Sequence, residues 1–316
     1  MAVFTKLTEN QIKEFVQKYN IGELSKFEEI IEGVENTNYK ITCNNVRYIL
    51  TIFEKRVNTK ELPFFVNLKN FLISKKFCCP MPIKSKDNEI INSLNNKKAI
   101  IISFLEGNKI IYPNRDHCIE IGKNAGILHN LTINFNEKRL NSLGLEEWKK
   151  IYNKCIEANI SEFKNIFLNL AIELKYLEEN WPKNLPSGII HADLFRDNVF
   201  FIDNKISGII DFYFSCNNFF IYDLAIIIND WCFSSESVNL NEKFFKAVLN
   251  GYESVRKLKS IEYDYLNMML RAAAVRILIT RLHDYIFEPD DAILIKKDPN
   301  EYYKILQWHQ NNQVIK

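Results

Sequence analysis

The segment GIIHADLFRDNVFFIDNKISGIIDFY, residues 188–213, restricts the fold of this chain more than any other. Apolar runs lie at both of its ends, and one His, four Asp and two Asn fall within 21 residues between them. Short β-branched and aromatic runs separated by polar turn residues predict the order strand, loop, strand, turn, strand. We expect a hairpin about Asn204 and Lys205, with Asp211 ending its second strand. A polar loop, residues 191–198, therefore precedes the hairpin.

Three residues of the polar loop have the spacing His-x-Asp-x-x-x-x-Asn, namely His191, Asp193 and Asn198. This spacing is typical of a kinase catalytic loop, and Asp211 follows after the hairpin. A phosphoryl acceptor hydroxyl needs a carboxylate to take its proton, which predicts Asp193 as the catalytic base. Magnesium ions need hard oxygen ligands, which Asn198 and Asp211 would supply. Turn loops are also rich in Asp and Asn, but the added Asn198 and the hairpin ending in Asp211 argue against that alternative.

Composition excludes several other classes of protein. The chain has 316 residues, 47% hydrophobic and 25% charged, with a net charge of +2, so neither nucleic acid nor an anionic membrane is an expected partner. Seven cysteines without a Cys-x-x-Cys pair predict reduced thiols in a cytoplasm. The first residues do not resemble a signal peptide, and no stretch approaches the ~20 apolar residues of a membrane span. We expect a cytoplasmic protein, either a monomer or a weak dimer.

The pattern of apolar residues changes after Gly107. Before it, short runs rich in β-branched and aromatic residues predict strands, with a helix at the start and another after the third strand. Thr8 and Gln11 form a capping-box pattern at the start of the first helix. Beyond it, helical periodicity prevails and only the 188–213 segment interrupts it. This organisation predicts an α+β protein of two lobes, with residues 1–106 as the N-terminal nucleotide-binding lobe and residues 107–316 as the C-terminal catalytic and substrate-binding lobe.

Several stretches resemble one superfamily of known proteins. Three stretches are similar to the aminoglycoside-phosphotransferase and choline-kinase-like superfamily, which is a branch of the protein-kinase fold. They are HADLFRDNVFF, ISGIIDFYFSC and YDLAIIINDWCF. Those that resemble the homoserine kinases of this superfamily are GVENTNYKI, YILTIFEKR, LPFF and FLEG. The resemblance implies a small β-rich N-lobe and a larger, mostly helical C-lobe. It also implies ATP and Mg²⁺ as cofactors and phosphorylation of the side-chain hydroxyl of L-homoserine, a step of threonine biosynthesis.

The resemblance also implies roles for individual residues. Asp193 would orient and deprotonate the acceptor hydroxyl, while Asn198 and Asp211 would hold magnesium. His191 would pack beneath the loop as a scaffold residue. Asp223, in YDLA, would fasten the loop through hydrogen bonds and is expected to be structural.

The nucleotide side departs from the usual kinase pattern. The stretch EGVENTNYKI has only Gly33 where a glycine-rich loop has three glycines. Thr37 and Asn38 can supply turn conformations and donors to phosphate oxygens instead. The resemblance implies that the segment IIISFLEG joins the two lobes. Backbone groups of Ser103 and Leu105 would then form hydrogen bonds with adenine.

The strand lysine of kinases is also absent, because Thr51 stands where the basic residue is expected. Lys55 follows four residues later, on the same strand face. Either Lys55 reaches the phosphates, or it is a surface lysine and the backbone and magnesium suffice.

An amino-acid acceptor would bring a carboxylate, which a guanidinium can bind in a bidentate manner. Arg276 and Arg281, in the apolar stretch RAAAVRILITRLHDY, are the candidates, with Tyr213 as a further lining residue. A buried ion pair with Asp284 or another carboxylate is the alternative for both arginines. Two other functions stay open: a kinase for choline, ethanolamine, an amino sugar or methylthioribose, and a nucleotide-binding pseudokinase. Intact Asp193 argues against the latter.

Overall fold

The structure, a computed structural model, describes residues 5–31, 36–54, 58–234, 238–287 and 296–314. Its chain packs into two units. The first comprises the described residues of Met1–Gly107 together with Ser207–Tyr213. The second comprises the described residues of Asn108–Ile206, Phe214–Asp290 and Lys296–Lys316. Within the described residues, the chain therefore returns to the first unit for the short segment Ser207–Tyr213, which contains Asp211.

The first unit is built on an antiparallel five-stranded sheet with the strand order β1-β2-β3-β5-β4. Its elements are α1 (Glu9–Val16), β1 (Leu24–Ile30), β2 (Asn36–Cys43), β3 (Val46–Phe53), α2 (Leu62–Ser74), β4 (Asn92–Leu94) and β5 (Lys97–Ser103). The predicted capping box is present, since the Thr8 hydroxyl accepts from the Gln11 N–H and the Gln11 side chain accepts from the Thr8 N–H. The strands and both helices predicted for this part of the chain are found.

Asparagine pairs make two tight turns of this sheet. Asn44 and Asn45 join β2 to β3 with φ of 45° and 63°, and Asn95 and Asn96 join β4 to β5 with φ of 49° and 61°. Two-residue hairpin loops with positive φ match the twist of the strands they connect, and asparagine tolerates that conformation. These local choices set the register that buries every second residue of β2 from Thr37 to Cys43, including Tyr39.

The second unit is mostly helical. Its elements are β6 (Asn108–Lys109), α3 (Arg115–Thr132), α4 (Leu145–Glu157), α5 (Lys164–Asn180), β7 (Ser187–Ile190), β8 (Val199–Ile202), the start of β9 (Lys205–Ile209), β10 (Cys216–Phe219), α6 (Phe220–Trp231), α7 (Glu242–Glu253), α8 (Ser260–Phe287) and α9 (Pro299–Asn311). β10 pairs antiparallel with β7, and a further sheet has the order β6-β8-β9. Nearly every residue of α6 is buried, which explains why apolar residues occur all around the helix. None of the described helices has both the length and the apolar character that a membrane-spanning helix needs.

The hairpin of the 188–213 segment differs in detail from the prediction. It turns at Asp203 and Asn204, because Asp203 takes the left-handed conformation (φ 53°) and Lys205 already belongs to β9. β9 ends at Ile209, so Asp211 lies beyond the strand instead of ending it. Asp211 itself has φ of 62°, a conformation that costs energy in a residue with a Cβ.

Candidate active site

The polar loop begins where β7 ends, and Asp223 holds it in place. The Asp223 carboxylate, in the first turn of α6, accepts hydrogen bonds from the backbone N–H groups of His191 (2.9 Å) and Ala192 (2.8 Å). Ala192 has φ of 64°, which is unfavourable for any residue with a Cβ. The two hydrogen bonds offset that strain, so the turn that presents Asp193 depends on a residue of a different element.

The Asp223 carboxylate is completely buried and also contacts His129, whose Nε2 lies 3.0 Å from Oδ2. The other ring nitrogen of His129 lies 2.7 Å from the Tyr252 hydroxyl. Burial alone would raise the pKa of Asp223, but its bond to His129 and the N–H group of His191 reverse the shift and lower it. Burial also lowers the pKa of His129. The loop is therefore held by an ionised carboxylate whose acceptor positions are occupied.

His191 is fully buried, and its Nδ1 accepts from the Asp193 N–H at 3.2 Å. It lies within the loop and contacts the backbone of the predicted base. These are the contacts of a scaffold residue.

Asp193 and Asn198 are directly paired. The Asn198 side-chain NH₂ donates to the Asp193 carbonyl at 2.8 Å and to its carboxylate Oδ2 at 2.9 Å. A short 3₁₀ turn, Arg196–Asn198, brings the amide back over Asp193. Because the NH₂ group is used inside the loop, the amide oxygen of Asn198 is the atom available to bind a cation.

Arg276, from the middle of α8, approaches the same loop. One terminal nitrogen donates to the Ala192 carbonyl, and the other lies 3.3 Å from the Asp193 carboxylate Oδ1. The guanidinium also stacks over the Phe214 ring, 5.2 Å from its centroid. Arg276 is thus part of a buried ion pair, as one alternative from the sequence had it, and its carboxylate partner is Asp193 and not Asp284.

In the first unit, Asp211 lies near a buried lysine. Lys69, on α2, is 3% exposed, and its ammonium lies 5.2 Å from the centroid of the Tyr213 ring. Burial lowers the pKa of Lys69 to about 8, against the opposing charges of Cys79 and Asp211. Burial and the Asp211 charge raise the pKa of the Tyr213 hydroxyl. Tyr213 packs edge-on against Phe53 and Phe65, so its ring is part of the apolar packing of this unit.

Comparison with known proteins identifies the family. The pattern of the phosphotransferase enzyme family (APH) matches residues 26–258. The homoserine kinase of Sinorhizobium medicae (strain WSM419) is 41% identical over 312 residues, 98% of this chain and 95% of that protein. The homoserine kinase of Bartonella tribocorum (strain CIP 105476 / IBS 506) is 42% identical over 312 residues, 98% of this chain and 97% of that protein. The chain belongs to the phosphotransferase enzyme family. The family predicted from the loop and hairpin motifs is confirmed.

Solved structures confirm the fold of this phosphotransferase. An amicoumacin kinase in complex with AMP-PNP and Ca²⁺ has a TM-score of 0.72 at 14% identity, covering 98% of this chain and 95% of that one. An ethanolamine kinase of Plasmodium vivax has a TM-score of 0.63 at 16% identity, covering 98% of this chain and 97% of that one. The α+β, protein-kinase-like fold predicted from the sequence is confirmed.

The residues predicted to meet the nucleotide have internal partners. The Thr37 hydroxyl is fully buried and donates to Glu54 at 2.8 Å, and the Asn38 amide oxygen accepts from the Thr51 hydroxyl at 2.7 Å. Both residues lie within β2, and the Asn38 NH₂ group donates to the Asn36 carbonyl at 3.4 Å. The phosphate contacts of Thr37 and Asn38 stay a prediction. Gly33 and Lys55 lie outside the described residues.

Ser103 ends β5. Its N–H donates to the Met81 carbonyl at 2.8 Å, and its hydroxyl accepts from the Met81 N–H at 2.8 Å. The side chain of Leu105 lies beside Gly208, where an added Cβ would be 2.3 Å from Leu105 Cδ1. The adenine contacts of Ser103 and Leu105 stay a prediction.

Arg281 has other partners than Arg276. Its guanidinium donates to the Glu301 carboxylate and to the Asp298 carbonyl, and it stacks over the Tyr302 ring at 4.5 Å. The five-residue spacing between Arg276 and Arg281 places them on different faces of α8, and Arg281 thus faces α9.

Three residues that support the site were missed from the sequence. His129 and Lys69 are polar residues at buried positions of helices, and that placement was the available signal. Asp230 accepts from the Arg196 N–H at 2.8 Å and from its side chain at 3.2 Å, holding the loop at its far end. Nothing in the local sequence pattern indicates that pairing.

Proposed function

We propose that this protein transfers the γ-phosphoryl group of ATP to the side-chain hydroxyl of L-homoserine and so forms O-phosphohomoserine. The observation that carries the proposal is the similarity to homoserine kinases along 98% of the chain. The polar loop agrees with it, since the side chain of Asp193 lies between those of Asn198 and Arg276.

The chemistry assigned to this chain is proton transfer and orientation. As the acceptor oxygen bonds to the γ-phosphorus, the bond to the ADP oxygen breaks and the hydroxyl proton passes to the Asp193 carboxylate. Asn198 holds Oδ2 of that carboxylate, and the buried Asp223 keeps the turn at Ala192 closed. Positioning of this kind is a large part of the rate enhancement in phosphoryl transfer.

We further propose Asn198 and Asp211 as ligands of Mg²⁺. When bound, the metal neutralises charge on the phosphates. Among the described residues, no three His, Cys, Asp or Glu side chains are clustered as a metal site. One carboxylate and one amide oxygen suit Mg²⁺, which completes its coordination shell with substrate phosphates and water.

For the nucleotide we retain the proposal that ATP is contacted by Gly33, Thr37, Asn38 and Lys55 and by backbone groups of Ser103 and Leu105. For the acceptor we retain Arg281 and Tyr213, while Arg276 receives a different role below. We also propose a place in threonine biosynthesis and a cytoplasmic location, the latter because all seven cysteines are free thiols.

The test is a comparison of kcat/KM for L-homoserine, its decarboxylated analogue 3-aminopropanol and choline, measured by ADP release. A buried site for the carboxylate rejects analogues that leave its partner unpaired, so we expect L-homoserine to be preferred by a factor of at least about 10². Equal values for 3-aminopropanol or choline would overturn the assignment of the acceptor while leaving the kinase assignment in place.

Asp193→Asn is the control for the chemistry. It should reduce kcat by about 10²–10⁴-fold and leave ATP affinity unchanged, because the base acts on the acceptor. Near-native turnover of this variant would remove Asp193 from the role of base.

A further inference from the structure

We propose that Arg276 is the positioning residue of the catalytic base, and that it holds Asp193 by a two-point contact with consecutive residues of the loop. The proposal rests on the function proposed above only in taking Asp193 as the base. It assigns Arg276 to the protein's own carboxylate in place of the carboxylate of the acceptor.

The contacts on both sides of Asp193 complement each other. Arg276 meets carboxylate Oδ1 at 3.3 Å, and Asn198 donates to Oδ2 at 2.9 Å. Arg276 comes from α8, 83 residues further along the chain, whereas Asn198 belongs to the loop itself. With each oxygen held by a different donor, the carboxylate plane is fixed in one orientation, and a general base needs that orientation toward the acceptor hydroxyl.

The second contact explains how α8 also controls the backbone. Arg276 donates to the Ala192 carbonyl, while Asp223 accepts from the Ala192 N–H on the other side of the same residue. Ala192 is the residue with the left-handed φ of 64°. The strained residue is thus held at both its N–H and its C=O, and the direction in which Asp193 leaves the turn depends on both.

Burial separates this role from acceptor binding. Arg276 is 4% exposed, and its two terminal nitrogens are engaged by the loop. Its Nε is buried and has no hydrogen-bond partner among the described residues. Tyr222 of α6 and Cys216 of β10 also face the guanidinium, but burial raises the pKa of both groups and keeps them neutral. Asp193 is therefore the carboxylate that compensates its charge. A guanidinium enclosed in this way has little surface to offer a ligand.

The experiment uses Arg276→Lys, which keeps the charge but loses the planar fork, and Arg276→Met, which loses both. Arg271→Lys is the matched control, because Arg271 lies on the same helix and makes its own bidentate pair with Glu173 at 2.7 and 2.6 Å. Steady-state kinetics with L-homoserine and with 3-aminopropanol, and calorimetry of ATP binding, are measured for each variant.

We expect Arg276→Lys to lower kcat by 10- to 100-fold for both acceptors, since a misplacement of about 1 Å in a reacting group costs about 10². The KM for L-homoserine should change by less than about threefold, and ATP affinity should be unchanged. Arg276→Met should lower kcat further, so the lysine variant gives partial rescue, while Arg271→Lys leaves kcat unchanged. A rise in KM confined to L-homoserine would overturn the proposal in favour of acceptor binding, and an unchanged kcat would reduce Arg276 to a structural residue.

A measurement without substrate keeps this result separate from the proposed function. Hydrogen exchange of the peptide that contains His191–Asp193 should be at least tenfold faster in both Arg276 variants than in wild type and in Arg271→Lys. Unchanged protection would overturn the positioning role even if the wild-type protein phosphorylated no alcohol. If faster exchange were found in a protein inactive on L-homoserine, the acceptor assignment would fail and the role of Arg276 would stand.

Discussion

At the residue scale, the loop depends on Asp223. Its two oxygens accept from two backbone N–H groups and contact a buried imidazole, all inside a fully buried environment. An amide at this position would keep one oxygen and would turn an NH₂ group toward other donors. Both the strained turn at Ala192 and the direction of Asp193 would lose their support.

Asp223→Asn should therefore lower the free energy of unfolding by about 3–5 kcal/mol, as expected when one partner of a buried charged network is removed. Urea unfolding followed by circular dichroism measures this. Asp264→Asn, at an exposed position of α8, is the control and should stay within about 0.5 kcal/mol of wild type. A loss of less than 1 kcal/mol in Asp223→Asn would mean that the loop is held by other contacts.

At the element scale, α3 and α7 pack with their backbones in contact. A Cβ added at Gly122 of α3 would lie 2.1 Å from the Val248 carbonyl oxygen, and one at Gly251 of α7 would lie 2.1 Å from the Ile119 carbonyl oxygen. Only glycine permits this approach. The same two helices carry His129 and Tyr252, which support Asp223, so their spacing is transmitted to the loop.

Gly251→Ala should destabilise the protein by about 1–3 kcal/mol through overpacking, although Gly→Ala inside an unobstructed helix stabilises by about 1 kcal/mol. The sign of the change in unfolding free energy is thus decisive. Gly144→Ala is the control, because its nearest neighbour, the Asn141 carbonyl oxygen, would be 3.6 Å away. Gly144 is the N-cap residue of α4, so Gly144→Ala should lower the free energy of unfolding by less than about 1 kcal/mol. A stabilised Gly251→Ala protein would contradict the close approach.

At the scale of the whole molecule, buried polar side chains join the helices of the second unit. His309 of α9 is 4% exposed, and its Nε2 lies 2.8 Å from the Asn229 amide oxygen on α6. Burial, with a smaller effect of Arg271, lowers the pKa of His309 from 6.5 to about 3. The last described helix is therefore attached to the core through a neutral histidine.

This histidine should make the protein sensitive to acid. The unfolded chain takes up a proton at His309 near pH 6.5, whereas the folded chain does so only near pH 3, so its contribution is complete above pH 6.5 and declines as the pH falls. Between pH 7 and pH 5 the free energy of unfolding should fall by about 2 kcal/mol on this account. His309→Gln should remove that part of the decline, and His283→Gln, at a partly exposed position, should not. Equal pH dependence in all three proteins would rule out His309 as its source.

The sequence by itself determined the local features of this protein. Spacing identified the loop with Asp193 and Asn198, periodicity separated strands from helices, and Thr8 with Gln11 marked the start of a helix. Each of these signals acts over a few residues, because backbone geometry and turn chemistry are local. The hairpin was misplaced by one residue for the same reason, since adjacent Asp, Asn and Lys residues all suit a turn and φ at Asp203 decided which did.

Only the tertiary structure decided which distant side chains meet. Nothing near Arg276 in the sequence indicates that its partner is Asp193, 83 residues away, and the same holds for His129 and Asp223, 94 residues apart. A buried charge needs a partner, which the sequence can state as a requirement. The choice among the available carboxylates depends on how α6 and α8 pack around the loop. Helix packing is set by the shapes of many side chains at once. The sequence therefore left open whether Arg276 binds the acceptor or pairs with a carboxylate of the protein, and the structure shows the pair with Asp193.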